Sequence, residues 1–311
     1  MSHLVNPLAT PSQLYHLSTF SSLPQDLQEA VFTATQCLTQ AAGLLLELPQ
    51  SVTAQANVIL ARHWLIDSLM THEFSDVSAA AIYLVAKLGP LPRSTRDVSN
   101  VYAYLVSPRS ALFRSGDQQT PHQDYDPLAS CQTESDYFAF QNRLLALEAR
   151  ILYTLSFDTH VSLPHPLAIT YLQTLDFLGM PDRREVSLRA VQHLNTALLS
   201  PQMLYLTHQP HALATAAVYC AARDLGAKMP ECAWWEVFDV DREELGFLVV
   251  GMRSVEGFLN KVREDMSWFF GGGMVTRARV EEEMRKRGLQ VGNGTSELDQ
   301  EDEVMKMMDS R

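Results

Sequence analysis

Cysteine is scarce in this 311-residue chain: there are four, Cys37, Cys131, Cys220 and Cys232. No two stand in a CxxC pair, and Cys37 and Cys220 fall inside apolar helical patterns. Neither a disulfide framework nor a zinc site is expected, and a reducing compartment fits. No apolar run approaches the ~18 residues of a membrane span. The N-terminus, MSHLVNPLATPSQ, has no basic stretch leading into an apolar core and does not read as a signal peptide. Alternation of Val, Ile and Thr, the mark of strands, is sparse. The sequence also lacks G-x-G-x-x-G, Walker and H-R-D motifs, and Gly271–Gly273 reads as a linker triplet and not as a phosphate cradle. Positive charge is in deficit, 24 Lys and Arg against 36 Asp and Glu, a net −12. Such a surface repels phosphate backbones, so no direct nucleic-acid contact is expected, and a basic protein partner suits it better.

What is present is apolar and helical. Hydrophobic residues make up 46% and charged residues 19%, enough for packed cores and for two domains. Residues 1–24, rich in Ser, Pro and Thr, read as a flexible arm. The spacing then predicts helices over 25–46, 51–70, 75–88, 94–106 and 136–155. Residues 107–134 have no period and read as a long loop inserted in the first unit. A second series follows at 166–178, 182–199, 209–225, 232–239 and 242–266, with Pro164 and Pro166 marking the junction. A charged helix candidate at 277–287 and an acidic tail close the chain. The expected division is an arm (1–24), two helical units (25–160 and 161–268) and a charged, largely disordered tail (269–311).

The two series look like copies. AAIYLVAK (80–87) resembles AAVYCAAR (216–223). The shift that carries Ala80 onto Ala216 also carries Tyr83 onto Tyr219, Ala86 onto Ala222 and Lys87 onto Arg223. It brings the first two helices onto segments independently read as helical. A duplicated five-helix, all-α unit is the simplest account. An Ala-rich third helix has no single apolar stripe. It suits a central rod, because small side chains let neighbouring helices approach to the short end of the roughly 8–10 Å range.

On these residues the chain resembles the cyclin family: two tandem five-helix cyclin boxes with an Ala-rich third helix ending in Lys. The stretches PRSTRDVSNVYAYL, DYFAFQNRLLALEARILYTLSFDTHVSLPHPLAITYL and ALATAAVYCAARDLGAKMP resemble transcription-class cyclins, and most of all the L-type. The resemblance covers roughly residues 25–265. It implies a regulatory subunit, not an enzyme, that binds and activates a cyclin-dependent serine/threonine kinase in the nucleus, in RNA polymerase II transcription or pre-mRNA processing. It further implies that Lys87 and Glu148 contact the kinase, with Leu88 and Leu152 supplying apolar surface. No catalytic residue, cofactor or metal is implied. Two features depart from the family pattern: Gly89-Pro90 follows Lys87 where many cyclins carry an acidic pair, and the tail lacks a long Arg-Ser-rich stretch. A protein-binding or transcription-factor scaffold on the same fold, with no kinase, is the alternative.

Other residues draw plainer readings. His208 and His211 are three apart, but Pro210 intervenes and no third ligand is evident. His160 and His165 flank the junction and fit ordinary hydrogen bonds. Trp234 and Trp235 read as core anchors. Asp239, Asp241, Glu243 and Glu244 fit a helix start, where the dipole favours carboxylates.

Overall fold

The computed structural model describes residues 5–19, 21, 23–107, 110, 132–177, 183–266 and 274–289, and every regular element among them is helical. The first box comprises α2 (Gln25–Leu45), α3 (Gln50–Trp64), α4 (Phe74–Leu88), α5 (Thr95–Val106) and α6 (Glu134–Thr154). The second comprises α7 (His165–Thr174), α8 (Arg183–Leu198), a short α9 (Leu204–Thr207), α10 (Pro210–Asp224), a 3-10 turn (Trp234–Phe238) and α11 (Arg242–Asp265). A helix precedes the boxes, α1 (Pro11–Thr19), and another follows, α12 (Arg277–Lys286).

Local chemistry sets the starts. Ser94 and Asp97 form a reciprocal capping box at α5: the Ser94 hydroxyl accepts from the Asp97 amide at 3.1 Å, and the Asp97 carboxylate accepts from the Ser94 amide at 3.2 Å. Thr133 and Asp241 cap α6 and α11 in the simpler way. The helix expected over 51–70 stops at Trp64. Asp67 turns its carboxylate onto the Ser68 amide at 2.9 Å and the Thr71 hydroxyl at 3.3 Å, a local alternative to further helical bonds.

The Ala-rich helices are the rods. In the first box α4 packs against α2, α3, α5 and α6; in the second α10 packs against α7, α8, α11 and the 3-10 turn. Ala80 and its copy Ala216 are both 0% exposed. The copies agree at their ends too: Lys87 Nζ lies 5.7 Å from the Tyr83 ring centre, and the Arg223 guanidinium 5.9 Å from that of Tyr219. Trp234 is buried, with its ring stacked 6.2 Å from Tyr219, as expected of a core anchor.

Polar ties join the boxes. Gln50 Nε2 donates to Asn195 Oδ1 at 3.0 Å, and His165 Nε2 meets the same oxygen at 2.9 Å. Thr33 Oγ1 donates to the Leu199 carbonyl at 3.3 Å.

Two expectations change. The arm, read as flexible over 1–24, is pinned where it is described. Asn6 is buried; it donates to the Ser162 carbonyl at 2.8 Å and accepts from the Ser162 amide at 2.7 Å. Gln209 brackets its backbone through two bonds of 3.0 Å. The tail, read as largely disordered over 269–311, contains α12 docked on the first box. Val280 and Met284 are buried, Arg277 Nη1 donates to the Thr71 carbonyl at 3.0 Å, and Arg287 Nη1 meets Asp26 at 2.6 Å. Most of the loop at 107–134 and residues 290–311 lie outside the described residues.

Gly43 marks the closest approach of α2 and α3: a Cβ there would sit 2.9 Å from Thr53 Cβ. Gly43→Ala is expected to destabilise the fold by about 1–3 kcal/mol through overpacking, seen as a lower urea midpoint. Acid adds a second test. His63 is buried, with Asp67 3.6 Å from its Nε2, Thr154 Oγ1 2.8 Å from its Nδ1, and the charges of Arg150 and His72 nearby. Burial, only partly opposed by Asp67, lowers its pKa from 6.5 to about 4. Between those values the unfolded chain takes up a proton that the folded chain refuses. Stability is therefore whole above pH 6.5 and falls as pH drops towards 4, by about 3 kcal/mol at most from this residue. Urea melts from pH 7 to pH 4 are expected to show that slope, and His63→Asn to flatten it.

Candidate partner-docking site

α6 carries two stripes. Phe140, Leu144, Leu147 and Ile151 are buried against α4. Beside them, at heptad spacing, run Phe138, Leu145 and Leu152, with Glu148 between the last two. Phe138 is 52% and Leu145 42% exposed, and Leu152 is half-buried.

The last turn of α4 meets this second stripe. Lys87 Nζ donates to Glu148 Oε1 at 2.9 Å; the lysine side chain is 54% exposed and the glutamate 8%. The Glu148 hydrogen bond first, and then its charge, raise the Lys87 pKa above the ordinary value. Gly89 adopts an extended conformation and ends α4, leaving Leu88 (61% exposed) and Leu91 at the surface. Arg93 fixes the turn that follows, donating to the Leu46 carbonyl at 2.8 Å and the Glu47 carbonyl at 3.2 Å.

The structure thus brings together all four residues singled out from the sequence: Lys87 and Glu148 in direct contact, Leu88 one residue beyond Lys87, and Leu152 one turn beyond Glu148. Sequence reasoning missed Phe138, Leu145 and Leu91. The signal was available for two of them, since 138, 145 and 152 share a heptad position.

The second box supplies an internal comparison. The shift carrying Phe140 onto Leu248 carries Leu144 onto Met252, Leu147 onto Val255 and Glu148 onto Glu256, and the three apolar pairs are buried in both boxes. Under these shifts Lys87 becomes Arg223, but Leu88 becomes Asp224, Leu145 becomes Arg253 and Leu152 becomes Asn260. Asp224 is held by Arg253 at 2.6 Å and His193 at 2.8 Å, with Arg189 at 3.7 Å. At these equivalent positions the first copy carries leucines and the second charged or amide side chains, while α11 exposes Phe247 and Val250 at positions of its own. The other candidates lie elsewhere: His208 stacks on Phe247 with ring centres 5.3 Å apart, and no group of three or more metal-binding side chains occurs among the described residues. No helix among them is long and apolar enough to cross a membrane.

A duplicated five-helix unit built around an Ala-rich rod defines the class: the fold is that of tandem cyclin boxes. A chain of the yeast RNA polymerase II CTD kinase complex CTDK-1 matches it with a TM-score of 0.62 over 94% of both chains at 14% identity. A chain of the ATP-γ-S-bound CAK complex from Chaetomium thermophilum gives 0.58 over 93% of both, also at 14% identity. No protein-family model matches. In sequence the chain is 30% identical to human cyclin-L2 over 84% of its length and 32% identical to human cyclin-L1 over 67%. A cyclin-L1-like protein of Schizosaccharomyces pombe is 29% identical over 79% of the chain. The chain spans 46% and 36% of the two human proteins and 88% of the yeast one. It belongs to the cyclin family, and within that family it is similar to the L-type members.

The Lys87–Glu148 pair is open to a direct test in the isolated chain. Reversing either charge leaves the nearly buried position 148 mismatched and is expected to cost about 1–3 kcal/mol. Lys87→Glu with Glu148→Lys together is expected to recover at least about 0.5 kcal/mol of the summed loss in a denaturant double-mutant cycle.

Proposed function

We propose that the chain is a regulatory subunit that binds and activates a cyclin-dependent serine/threonine protein kinase, without catalytic chemistry of its own. The observation that carries this reading is the difference between the two copies. Both boxes present a cation at the end of the Ala-rich rod, but only the first follows it with an exposed leucine, Leu88, and places another, Leu145, one turn from its carboxylate partner Glu148. Exposed apolar residues gathered around a charged pair suit a helix of another protein: the apolar area contributes burial at about 25 cal/mol per Å². The ammonium of Lys87 and the carboxylate of Glu148 can turn to the partner's carbonyls and amides.

Activation follows from position. A kinase helix held on this face is fixed in the orientation its own active site needs, so the subunit acts by shifting a population and donates no catalytic group. The similarity to L-type cyclins and the fold shared with chains of a CTD kinase complex support a nuclear role in RNA polymerase II transcription or pre-mRNA processing.

The test is affinity purification of the full chain, identification of any co-purifying kinase, and assay of that kinase with and without the chain. Leu145→Arg changes an exposed side chain and is expected to leave the fold intact while weakening the complex at least tenfold. Lys87→Ala combined with Glu148→Ala is expected to cost about 2–5 kcal/mol of binding. A kinase bound and activated equally well by all three proteins would reject this face as the contact.

A further inference from the structure

The exposed stripe of α6 runs out at a cavity of about 310 Å³ where the two boxes meet. Its walls are largely apolar: Leu65 and Ile66 after α3, Leu155 at the end of α6, Leu206 of α9, and Pro7 and Leu8 of the arm. Size and lining are those of a site for a side chain or a short chain end.

Within this wall sits a guanidinium with most of its hydrogen bonds unmade. Arg62 is only 7% exposed. Its Nη1 donates to the His160 carbonyl at 2.8 Å, but Nε and Nη2, both sealed from solvent in this conformation, have no acceptor. Those two groups form one edge of the guanidinium, the edge suited to both oxygens of a single carboxylate. The chain uses that edge elsewhere: Arg150 Nε and Nη2 clasp the two oxygens of Asp67, the latter at 3.2 Å. Asp158 borders the cavity but forms no ion pair with Arg62 among the described residues; its carboxylate accepts from the His160 amide at 3.1 Å.

Backbone strain lies at the same place. Ser156 and Phe157, at the end of α6, take φ values of 50° and 62°, consecutive left-handed conformations in residues other than glycine. Ser156 and Asp158 line the cavity, and the turn between them projects the Phe157 ring into solvent beside that of Tyr153, with centres 5.6 Å apart.

We propose that this cavity at the junction of the boxes is a docking site for a carboxylate-bearing apolar segment of a protein partner, with Arg62 as the receiving group. The carboxylate completes the unfilled edge of Arg62 after a turn of the guanidinium head, and the apolar part lies against Ile66, Leu155 and Leu206. A monoanion is favoured over a phosphate dianion because Asp158 already brings negative charge to the site. The inference goes beyond the kinase reading and stands without it.

Ligand-observed NMR on the full chain tests it with three probes: N-acetyl-L-leucine, its uncharged amide, and inorganic phosphate. Saturable binding of the carboxylate is expected, at least about tenfold tighter than the amide. Arg62→Lys, which loses the fork, is expected to abolish that preference. Should that variant not fold, Ile66→Trp fills the cavity from a half-exposed position without touching Arg62 and is expected to abolish binding of the carboxylate probe. The proposal is overturned by absence of saturable binding to the folded wild-type chain, by equal binding of the amide, by tighter binding of phosphate than of the carboxylate, or by binding that survives Ile66→Trp.

Discussion

Everything in this molecule depends on how closely helices can approach the two alanine-lined rods. A helix enclosed on most sides has no room for a large side chain towards each neighbour. Ala79, Ala80 and Ala81 in α4, and Ala214, Ala216 and Ala217 in α10, meet that demand, all at zero exposure. Alanine costs no side-chain entropy and keeps helix propensity high, so the rod stays straight while its neighbours close in. The C-terminal end of each rod escapes this enclosure, and a charged residue appears there in both boxes, Lys87 and Arg223. The face proposed for docking on the first box is therefore a consequence of its packing: it is where the wrapping helices stop and the rod reaches solvent beside α6.

Duplication then permits divergence. Each box solves the same packing problem, so its interior positions are constrained alike, as the paired burial of Leu144 with Met252 and of Leu147 with Val255 shows. The outer faces carry no such constraint. One copy has kept leucines at these positions, and the other carries Asp224, Arg253 and Asn260 there, the first two closed into an ion-pair cluster with His193. Exposed ion pairs of that kind contribute little to stability, about 0–1 kcal/mol each. What the exchange does achieve is to put charge where the other copy has leucine, so that the ends of the two rods differ chemically.

Much of this was legible in the sequence because the signals were periodic. The third helix of each box, the shift relating Ala80 to Ala216, and the pairing of Lys87 with Glu148 follow from spacing, repetition and family resemblance. What the sequence hid was structure held by polar groups or by very few apolar ones. Asn6 pins the arm through amide bonds to Ser162 and Gln209, a pattern without periodicity in a segment whose composition reads as disordered. α12 docks through Val280 and Met284, an i,i+4 pair among eight Arg, Lys and Glu residues from 277 to 287, so the charges that suggest a solvated tail conceal a narrow apolar edge. The end of α3 was misplaced because Asp67 competes for backbone donors, an effect set by its tertiary bond to Arg150.

The arm and α12 also bear on how the boxes are held. The junction combines the polar contact of Gln50 with Asn195 and apolar packing, with Phe32 and Val58 of the first box in one core with Leu198 and Leu204 of the second. The termini cross the joint. The arm leads to Ala9, whose amide donates to the Leu206 carbonyl at 2.8 Å, and α12 returns from the end of the second box to Asp26 and Thr71 of the first. Such ties at both ends of the chain restrict hinge motion more than either can alone, because a rotation that slackens one strains the other. Restricted hinging would keep the surface of α6 and the junction beyond it in one arrangement. A partner reaching from Leu145 to the junction would not have to order the boxes on binding, and the entropy of doing so would not be charged against its affinity.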